Sequence, residues 1–235
     1  MTAEAEARRH EYLDGGGWQK IDGWLYIKAL RLIDFLDKCQ DALEVRGHIG
    51  EIGLYFGKLF IFLYLMARDG ENVVGVDLFP KDEWEETFHE NMARYAYPEK
   101  QPVIVKSDSL EVTAEQLLDL AGGPYRMFSV DGGHMMEHVL NDLRLANAVL
   151  SEGGIVLLDD YFDPSFPGVS EATNRFFLED NGVRIAPFLI CGNKVFLSTK
   201  GQAQAYREAA LSTLNPDDVE ITEAVFFGET VSTVI

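Results

Sequence analysis

Two glycines and two carboxylates stand along this chain at intervals that suit the binding of a nucleoside ligand. The segment GEIGLYFGK covers residues 50–58, and a later segment, VVGVD, ends at Asp77. Gly53 and Gly57 fall between a predicted strand and a predicted helix, where glycines let the backbone approach a ligand closely. The free amides at a helix start favour polar or anionic groups. A carboxylate at Asp77, where the next predicted strand ends, can hold a ribose diol.

The glycine spacing separates three classes of ligand that use such a turn. A phosphate-binding P-loop needs glycine five positions before its Gly-Lys pair and Ser or Thr after it, but those positions hold Ile52 and Leu59. The dinucleotide fingerprint needs G-x-G-x-x-G, and the glycines of residues 50–57 stand at other intervals. Glu51, at the end of the first strand, would repel a pyrophosphate and suits a cationic amino acid group. The pattern therefore favours S-adenosylmethionine (SAM).

A second group of chemically active residues lies in VDGGHMMEH, residues 130–138, and LLDDYFDPSFPG, residues 157–168. Asp131 follows one predicted strand, and Asp159 and Asp160 end the next. The carboxyl ends of neighbouring parallel strands share one edge of a sheet, so we expect the three carboxylates to converge beside the ligand. Such convergence needs positive charge, and Mg²⁺ is the hard cation that best suits these oxygens. The alternative is that Asp159 caps a turn and Asp160 is solvated.

His134 stands three residues after Asp131, at the start of the next predicted helix. A histidine in this place can accept the proton of an attacking hydroxyl near neutral pH. Helix capping or a buried hydrogen bond is the plainer interpretation of an isolated histidine. His138, one helical turn further on, is the competing candidate.

The elements that must position these residues alternate between strand and helix, which predicts an α/β protein with a parallel sheet covered on both faces. The predicted strands are 45–52, 72–76, 103–105, 127–130 and 155–158, and the helices named between them are 59–66, 114–120 and 135–150. Two further β-rich runs, 183–190 and 194–197, flank a short link that contains glycine, so they predict an antiparallel hairpin.

The domain organisation follows from these elements. Residues 1–42 form an N-terminal helical segment, with a polar opening helix and a second helix at 24–40, and are a candidate lid. Residues 43–200 form the SAM-binding Rossmann-like core, and residues 201–235 extend the same domain.

The pattern E-x-G-x-x-x-G with a downstream acidic residue resembles motif I and its partner in class I SAM-dependent methyltransferases. The resemblance implies a Rossmann-like seven-stranded sheet with a terminal antiparallel hairpin. It also implies that Glu51, Gly53 and Gly57 contact the methionine end of SAM and that Asp77 contacts the ribose. The remaining residues of the implied cofactor site are Tyr55, Lys58, Asp108, Ser109 and Asp131.

The later motifs D-G-x-H, S-E-G-G, D-D-Y and P-G-V resemble one branch of these enzymes, which contains macrocin-type and mycinamicin-type sugar O-methyltransferases. This resemblance covers residues 45–200. It implies catalytic roles for His134, as base, and for Asp131, and a divalent metal held by Asp131, Asp159 and Asp160. The N-terminal segment does not resemble the macrolide-specific elements of that branch, so the acceptor stays open between a phenol, a sugar hydroxyl and a carboxylic acid.

Composition bounds the partners of the protein. With 235 residues, 47% of them hydrophobic, the chain can build one domain with a substantial core. The 20 basic and 39 acidic residues give a formal charge of −19, which argues against a nucleic-acid partner.

Two cysteines without metal-type spacing argue against a disulfide or zinc framework. The opening MTAEAEARRHEY lacks the apolar stretch of a signal peptide, and the apolar run 59–67 is too short to span a bilayer. We therefore expect a cytoplasmic protein without a membrane partner.

Together these features predict a SAM-dependent O-methyltransferase that acts on a hydroxyl or carboxylate of a small molecule in secondary metabolism. Four aromatic residues of the N-terminal segment either roof a planar acceptor or pack the helix onto the sheet, namely Tyr12, Trp18, Trp24 and Tyr26. One alternative is a noncatalytic SAM-binding or interaction protein with the same fold. A nicotinamide-dependent oxidoreductase is another, which the glycine intervals disfavour. A homodimer remains open.

Overall fold

The computed structural model describes residues 3–96, 101–214 and 219–235. Nine strands in this part of the chain form one sheet, in the spatial order β3-β2-β1-β4-β5-β7-β6-β9-β8. Their bounds are β1 (His48–Ile52), β2 (Val73–Asp77), β3 (Val103–Lys106), β4 (Tyr125–Val130), β5 (Leu150–Leu158), β6 (Ile185–Cys191), β7 (Lys194–Thr199), β8 (Ile221–Phe226) and β9 (Glu229–Val234).

Helices cover both faces of this sheet, as the alternation predicts. They are α1 (Ala3–Leu13), α2 (Ile27–Ala42), α3 (Lys58–Leu65), α4 (Asp82–Tyr95), α5 (Ala114–Ala121), α6 (Met136–Val149), α7 (Pro167–Glu179) and α8 (Ala203–Thr213). Buried side chains of α1, α2, α3, α4 and α8 form one apolar cluster with the sheet, whereas those of α5, α6 and α7 form a second. None of the described helices is both long and apolar enough to cross a membrane.

The first five strands run parallel, and β1 pairs with β2 on one side and with β4 on the other. This change of direction makes the carboxyl edge between β1 and β4 the place where an α/β sheet binds ligands. Ile52 stands opposite both Val76 and Val130, and Val130 stands opposite Leu158. The residues that follow these strand ends therefore emerge side by side.

The predicted antiparallel hairpin is present, since β6 and β7 pair antiparallel and β7 also pairs with β5. Two strands beyond the predicted seven continue the sheet, because β9 pairs parallel with β6 and β8 pairs antiparallel with β9. The sequence analysis assigned no strands there. In β8 four of the six residues are exposed, so it lacks the apolar alternation that marks a half-buried strand.

Buried ion pairs fasten the N-terminal segment to the opposite end of the sheet from the ligand edge. Arg126, at the start of β4, has no solvent exposure and lies 2.7 Å from both Asp37 Oδ1 and Glu71 Oε1. Arg9 of α1 lies 2.6 Å from Asp37 Oδ2. Helices α1 and α2 are thus tied into the core, and the helix predicted at 24–40 begins at Ile27.

Candidate functional site

A cavity of about 1080 Å³ opens at the carboxyl edge of the parallel strands. Its floor is made by the residues that follow β1, β2, β4 and β5. Hydrogen bonds between strand ends hold them together, because Asp131 N donates to Ile52 O at 2.9 Å and Asp159 N donates to Val130 O at 3.1 Å. The volume suffices for a nucleoside cofactor together with a small second molecule.

The loop between β1 and α3 depends on its glycines. Gly53 has a φ of 90°, and a Cβ added there would lie 1.9 Å from the carbonyl oxygen of Asp131. Gly57, with a φ of 84°, ends the loop directly before α3 begins at Lys58. Tyr55 between them adopts a φ of 48°, which is uncommon for a residue with a side chain. Both predicted motif glycines are therefore required by the backbone.

Asp77 holds this loop from the end of β2. Its Oδ2 accepts hydrogen bonds from the amides of Leu54 at 2.6 Å and Tyr55 at 2.9 Å, and its Oδ1 accepts one from Phe79 N at 2.6 Å. A carboxylate offers about four acceptor positions, so these three amides leave about one. Contact with a ribose stays a prediction, and a single hydroxyl fits it better than a diol.

Glu51 is a buried carboxylate that lines the cavity. Glu51 is only 2% exposed, and its Oε2 has no hydrogen-bond partner among the described residues. Burial raises the pKa of Glu51 to about 8, although Lys194 nearby acts to lower it. An unpartnered carboxyl oxygen facing a cavity fits a cationic group, and the ammonium of a SAM methionine end is such a group.

Asp131 and Asp159 complete a cluster of carboxyl groups beside Glu51. Burial, and next the charge of Asp159, raise the pKa of Asp131 well above its ordinary value. Asp159 is itself paired, because Lys194 Nζ donates to its Oδ2 at 2.5 Å. Burial alone would lower the pKa of Lys194, but Asp159, Asp131 and Glu51 raise it overall. Lys194 therefore stays cationic.

His134 and Asp160 form a pair at the other side of the cavity. His134 Nε2 lies 3.1 Å from Asp160 Oδ2, and the imidazole stacks on Phe166 with ring centroids 3.8 Å apart. Asn193 donates from Nδ2 to Asp160 Oδ1. Both carboxylate oxygens of Asp160 thus have partners, which fixes the orientation of the histidine ring. A base held by an oriented carboxylate is an arrangement suited to proton removal.

The predicted Mg²⁺ ligands do not come together as one set. Of the described residues, the group whose ligand atoms lie within 4.8 Å of one another consists of Asp131, His134 and Asp160. Asp159 is outside it and pairs with Lys194. The donor set that the sequence predicts therefore does not fit Mg²⁺, whereas Glu51 fits SAM.

The other predicted cofactor residues all line the cavity, namely Tyr55, Lys58, Asp108 and Ser109. Lys58 Nζ donates to Gly23 O at 2.6 Å, so its charge is directed at the N-terminal segment. Asp108 caps a short 3-10 turn by accepting from Leu110 N at 3.0 Å, and it lies 3.5 Å from His138 Nε2. Their contacts with a cofactor stay predictions.

Residues 23–26, here called the strap, line the cavity and directly precede α2. Trp24 is 88% exposed and stacks on Tyr55 with ring centroids 6.5 Å apart. The ring of Tyr26 lies against Gly192, where an added Cβ would come within 2.8 Å of it. Tyr12 and Trp18 are buried in the core. The expected aromatic roof is therefore limited to the strap, and the lid role stays a prediction.

Three residues of the site escaped the sequence analysis, namely Trp84, Asn193 and Lys194. Trp84 packs edge-on to Tyr55 with ring centroids 5.0 Å apart. Asn193 lies in the turn between β6 and β7, and Lys194 is the first residue of β7. The signal that the sequence offers is a lysine at the start of the otherwise apolar predicted strand 194–197.

Comparison with known proteins identifies related domains and folds. A family model described as a methyltransferase domain matches residues 51–161, which include the loop, the acidic cluster and His134. A curated relative, the uncharacterized protein R132 of Acanthamoeba polyphaga mimivirus, is 24% identical over 139 residues. That match covers 59% of this chain and 62% of the relative's length.

Solved structures of O-methyltransferases share the fold at low sequence identity. NovP has a TM-score of 0.57 at 18% identity, over 72% of this chain and 79% of its own. TomG from Streptomyces achromogenes, in complex with SAM, has a TM-score of 0.55 at 17% identity, over 84% and 89%. An O-methyltransferase from Bacillus cereus, with bound SAH, has a TM-score of 0.55 at 14% identity, over 84% and 90%. The chain thus has the α/β Rossmann-like methyltransferase fold.

Proposed function

We propose that the protein is a SAM-dependent O-methyltransferase that acts on a hydroxyl group of a small molecule. The observation that carries this proposal is that Glu51 and the His134–Asp160 pair line the same cavity. Glu51 supplies an unpartnered carboxyl for a cationic cofactor group, and the pair supplies a base for the acceptor. The methyltransferase-domain match and the O-methyltransferase structures support it further.

In this proposal each residue has a defined part. Bound SAM supplies an electrophilic methyl group on its sulfonium. Glu51 holds the ammonium of the methionine end, and Gly53 lets that end approach the backbone of the loop. His134 takes the proton of the acceptor hydroxyl while the carbon–oxygen bond forms and the carbon–sulfur bond breaks, which leaves S-adenosylhomocysteine. Asp160 keeps the imidazole oriented and stabilises its charge once it is protonated.

The site favours a hydroxyl over a carboxylate acceptor. A carboxylic acid is ionised at neutral pH and needs no base, so a histidine held by an oriented carboxylate would have no task. The cavity is also lined by Asp160 and Asp163 in addition to the buried acids, and these groups would repel a carboxylate. A phenol and a sugar hydroxyl both meet these requirements.

Several finer expectations stay predictions of the sequence. They are a role in secondary metabolism, a cytoplasmic location, a homodimer and the absence of nucleic-acid partners. Mg²⁺ bound by Asp131, Asp159 and Asp160 has no support beyond the resemblance, since Asp159 is paired with Lys194.

The test combines binding and turnover. SAM, S-adenosylhomocysteine and NAD are titrated by calorimetry, and SAM labelled on its methyl group is incubated with panels of phenols, sugars and carboxylic acids. We expect micromolar binding of both adenosyl ligands, none of NAD, and label transfer to a hydroxyl. Glu51→Gln should weaken binding, and His134→Gln should bind SAM without transferring label. Binding without transfer to any acceptor in wild type would favour the noncatalytic SAM-binding alternative, and NAD binding would favour the oxidoreductase.

A further inference from the structure

We infer that Lys194 is the fixed counter-ion of the acid cluster and replaces the divalent cation that the cluster would otherwise need, so that methyl transfer at this site proceeds without added metal. The inference rests on the proposed function. It concerns the cluster formed by Glu51, Asp131, Asp159 and Lys194, which is used below under the name acid cluster.

The sheet places the lysine opposite the acid. Strand β7 pairs antiparallel with β5, and Val195 stands opposite Leu158. Lys194 and Asp159, one residue beyond this pair on each strand, therefore meet at the ligand edge. The resulting contact of 2.5 Å is made by a lysine that is 2% exposed. A buried ammonium in such contact is held by the fold and is independent of any ligand.

Lys194 occupies the Asp159 oxygen that the predicted Mg²⁺ site would use. The group whose ligand atoms do lie close together, Asp131, His134 and Asp160, offers an imidazole nitrogen, whereas Mg²⁺ takes oxygen ligands. Mg²⁺ demands near-ideal octahedral geometry at about 2.0–2.1 Å and binds through bare carboxylate oxygens. Asp159 Oδ2 already accepts from Lys194, and both oxygens of Asp160 accept from other side chains. A divalent ion at Asp159 would also be brought beside a buried ammonium, and like charges at this distance repel strongly.

The charges left over match the cofactor. The acid cluster contains three carboxyl groups and one ammonium. Lys194 pairs with Asp159 at 2.5 Å, whereas Glu51 Oε2 has no hydrogen-bond partner among the described residues. The methionine end of SAM carries an ammonium, a sulfonium and a carboxylate, and so has a net charge of plus one. We therefore assign the ammonium of the cofactor to Glu51, while Lys194 compensates Asp159.

Lys194 acts through its neighbours. It is absent from the cavity lining, whereas Glu51, Asp131 and Asp159 all belong to it. It is accordingly a positioning residue, and a test needs a measurement that simple loss of packing would not change. Gain of metal binding is such a measurement, because a damaged core does not create a metal site.

The experiment follows Mn²⁺ binding by electron paramagnetic resonance in the full chain. For wild type we expect no depletion of free Mn²⁺ and no loss of turnover in chelator. Lys194→Met removes the ammonium and frees Oδ2 of Asp159, while Oδ1 keeps its hydrogen bond from Asp160 N, so the affinity of the variant for Mn²⁺ should rise by about a hundredfold or more. Mn²⁺ should also raise the melting temperature of Lys194→Met and leave that of wild type unchanged.

The double variant Lys194→Met/Asp159→Asn is the matched control, because it removes one charge of each sign and keeps the balance of the acid cluster. It should fold and should gain no Mn²⁺ affinity. If Lys194→Met alone does not fold, the Mn²⁺ titration of wild type and its turnover in chelator still decide the inference. Stoichiometric Mn²⁺ binding by wild type, or turnover that chelator abolishes and metal restores, would overturn the inference. These metal titrations need no acceptor, so failure to find one would count against the proposed function alone.

Discussion

His134 Nε2 lies 3.1 Å from Asp160 Oδ2, and Asn193 holds the other oxygen of the same carboxylate. Because an ionised carboxylate only accepts hydrogen bonds, the proton of a neutral His134 belongs on Nε2. Nδ1 is then the nitrogen left to accept a proton from an acceptor hydroxyl. The pair therefore selects the tautomer as well as the orientation of the base.

We predict that Asp160→Asn lowers turnover by roughly a hundredfold or more, because an amide can donate to Nε2 and favour the wrong tautomer. SAM affinity should stay near that of wild type, since Asp160 lies on the acceptor side. Steady-state kinetics and SAM calorimetry on the same preparations measure the two effects. His134→Gln is the comparison, and the double variant should be little worse than either single one. Wild-type turnover in Asp160→Asn would remove this residue from the mechanism.

Because the pKa of Glu51 is raised, we predict that SAM binding releases a proton. With a pKa of about 8, its carboxyl is largely protonated at pH 7 in the free protein, and an incoming ammonium favours the ionised form. A large part of a proton, up to about one, should therefore leave per SAM bound at pH 7. Calorimetry in buffers of different ionisation enthalpy measures this number. Glu51→Gln should abolish the release, and an equal release from both proteins would assign the proton to another group.

The same group sets a pH dependence of stability in the free protein. The folded pKa of Glu51 lies above its ordinary value of 4.5, so the native state binds more protons than the unfolded state between about pH 4.5 and 8. Stability should therefore fall as the pH rises through this window and level off above it. Urea denaturation of wild type and Glu51→Gln across this range checks the contribution, and the variant should show a smaller fall. Parallel curves for the two proteins would contradict it.

Asp77→Ala should damage both the loop and the cofactor site. It removes the acceptor of three backbone amides, so we expect a lower melting temperature together with SAM binding weakened by about a hundredfold. Asp163→Ala is the matched control, because it removes a carboxylate that lines the same cavity, has no predicted cofactor role and does not hold the loop. Thermal melting and SAM titration separate the two variants, and an unchanged melting temperature in Asp77→Ala would argue against its role in holding the loop.

Trp24→Ala tests the strap. Because the residue is 88% exposed, its loss should change the free energy of unfolding by less than about 0.5 kcal/mol. Its ring stacks on Tyr55 over the cavity, so ligand affinity should fall while folding is retained. Trp24→Phe keeps a stacking ring and serves as the control. Unchanged KM values for SAM and acceptor in Trp24→Ala would show that the strap does not cover bound ligands.

The buried ion pairs at the far edge of the sheet make a prediction about stability alone. Arg126→Met leaves Asp37 and Glu71 buried with less compensation, which should lower the free energy of unfolding by about 3–5 kcal/mol. Arg144→Met breaks an exposed pair with Asp180 and should cost at most about 1 kcal/mol. Urea denaturation measures both. Equal losses would contradict the contrast between buried and exposed pairs.

The parts that sequence could predict are those governed by local pattern. Gly53 and Gly57 mark a backbone that other residues cannot easily adopt, and Asp77 and Asp131 follow strands whose apolar runs are plain in the sequence. The parallel sheet then brings the strand ends together without further information. The sequence therefore allows both the fold class and the meeting of these residues at one edge of the sheet to be predicted.

The residues that pair with Asp159 and Asp160 could not be predicted from the sequence, because they come from distant parts of the chain. Lys194 is 35 residues from Asp159 in sequence, and Asn193 is 33 residues from Asp160. Their contacts exist only because β7 inserts antiparallel beside β5, a pairing that no local periodicity encodes. Because the contact of Lys194 with Asp159 could not be foreseen, the sequence analysis assigned the positive charge beside these carboxylates to a metal ion. Strand β8 was missed because its exposed residues carry no alternation.

The short turn that joins β6 to β7 has a consequence for how the site closes. The two residues of the turn and the first residue of β7 contact three different parts of the site. Gly192 meets Tyr26 of the strap, Asn193 donates to Asp160, and Lys194 donates to Asp159. One hairpin thus contacts the strap, the carboxylate that orients His134 and the carboxylate that Lys194 neutralises. Because the strap and Asp160 both contact this turn, a displacement of the turn would change the support of the strap and of His134 together.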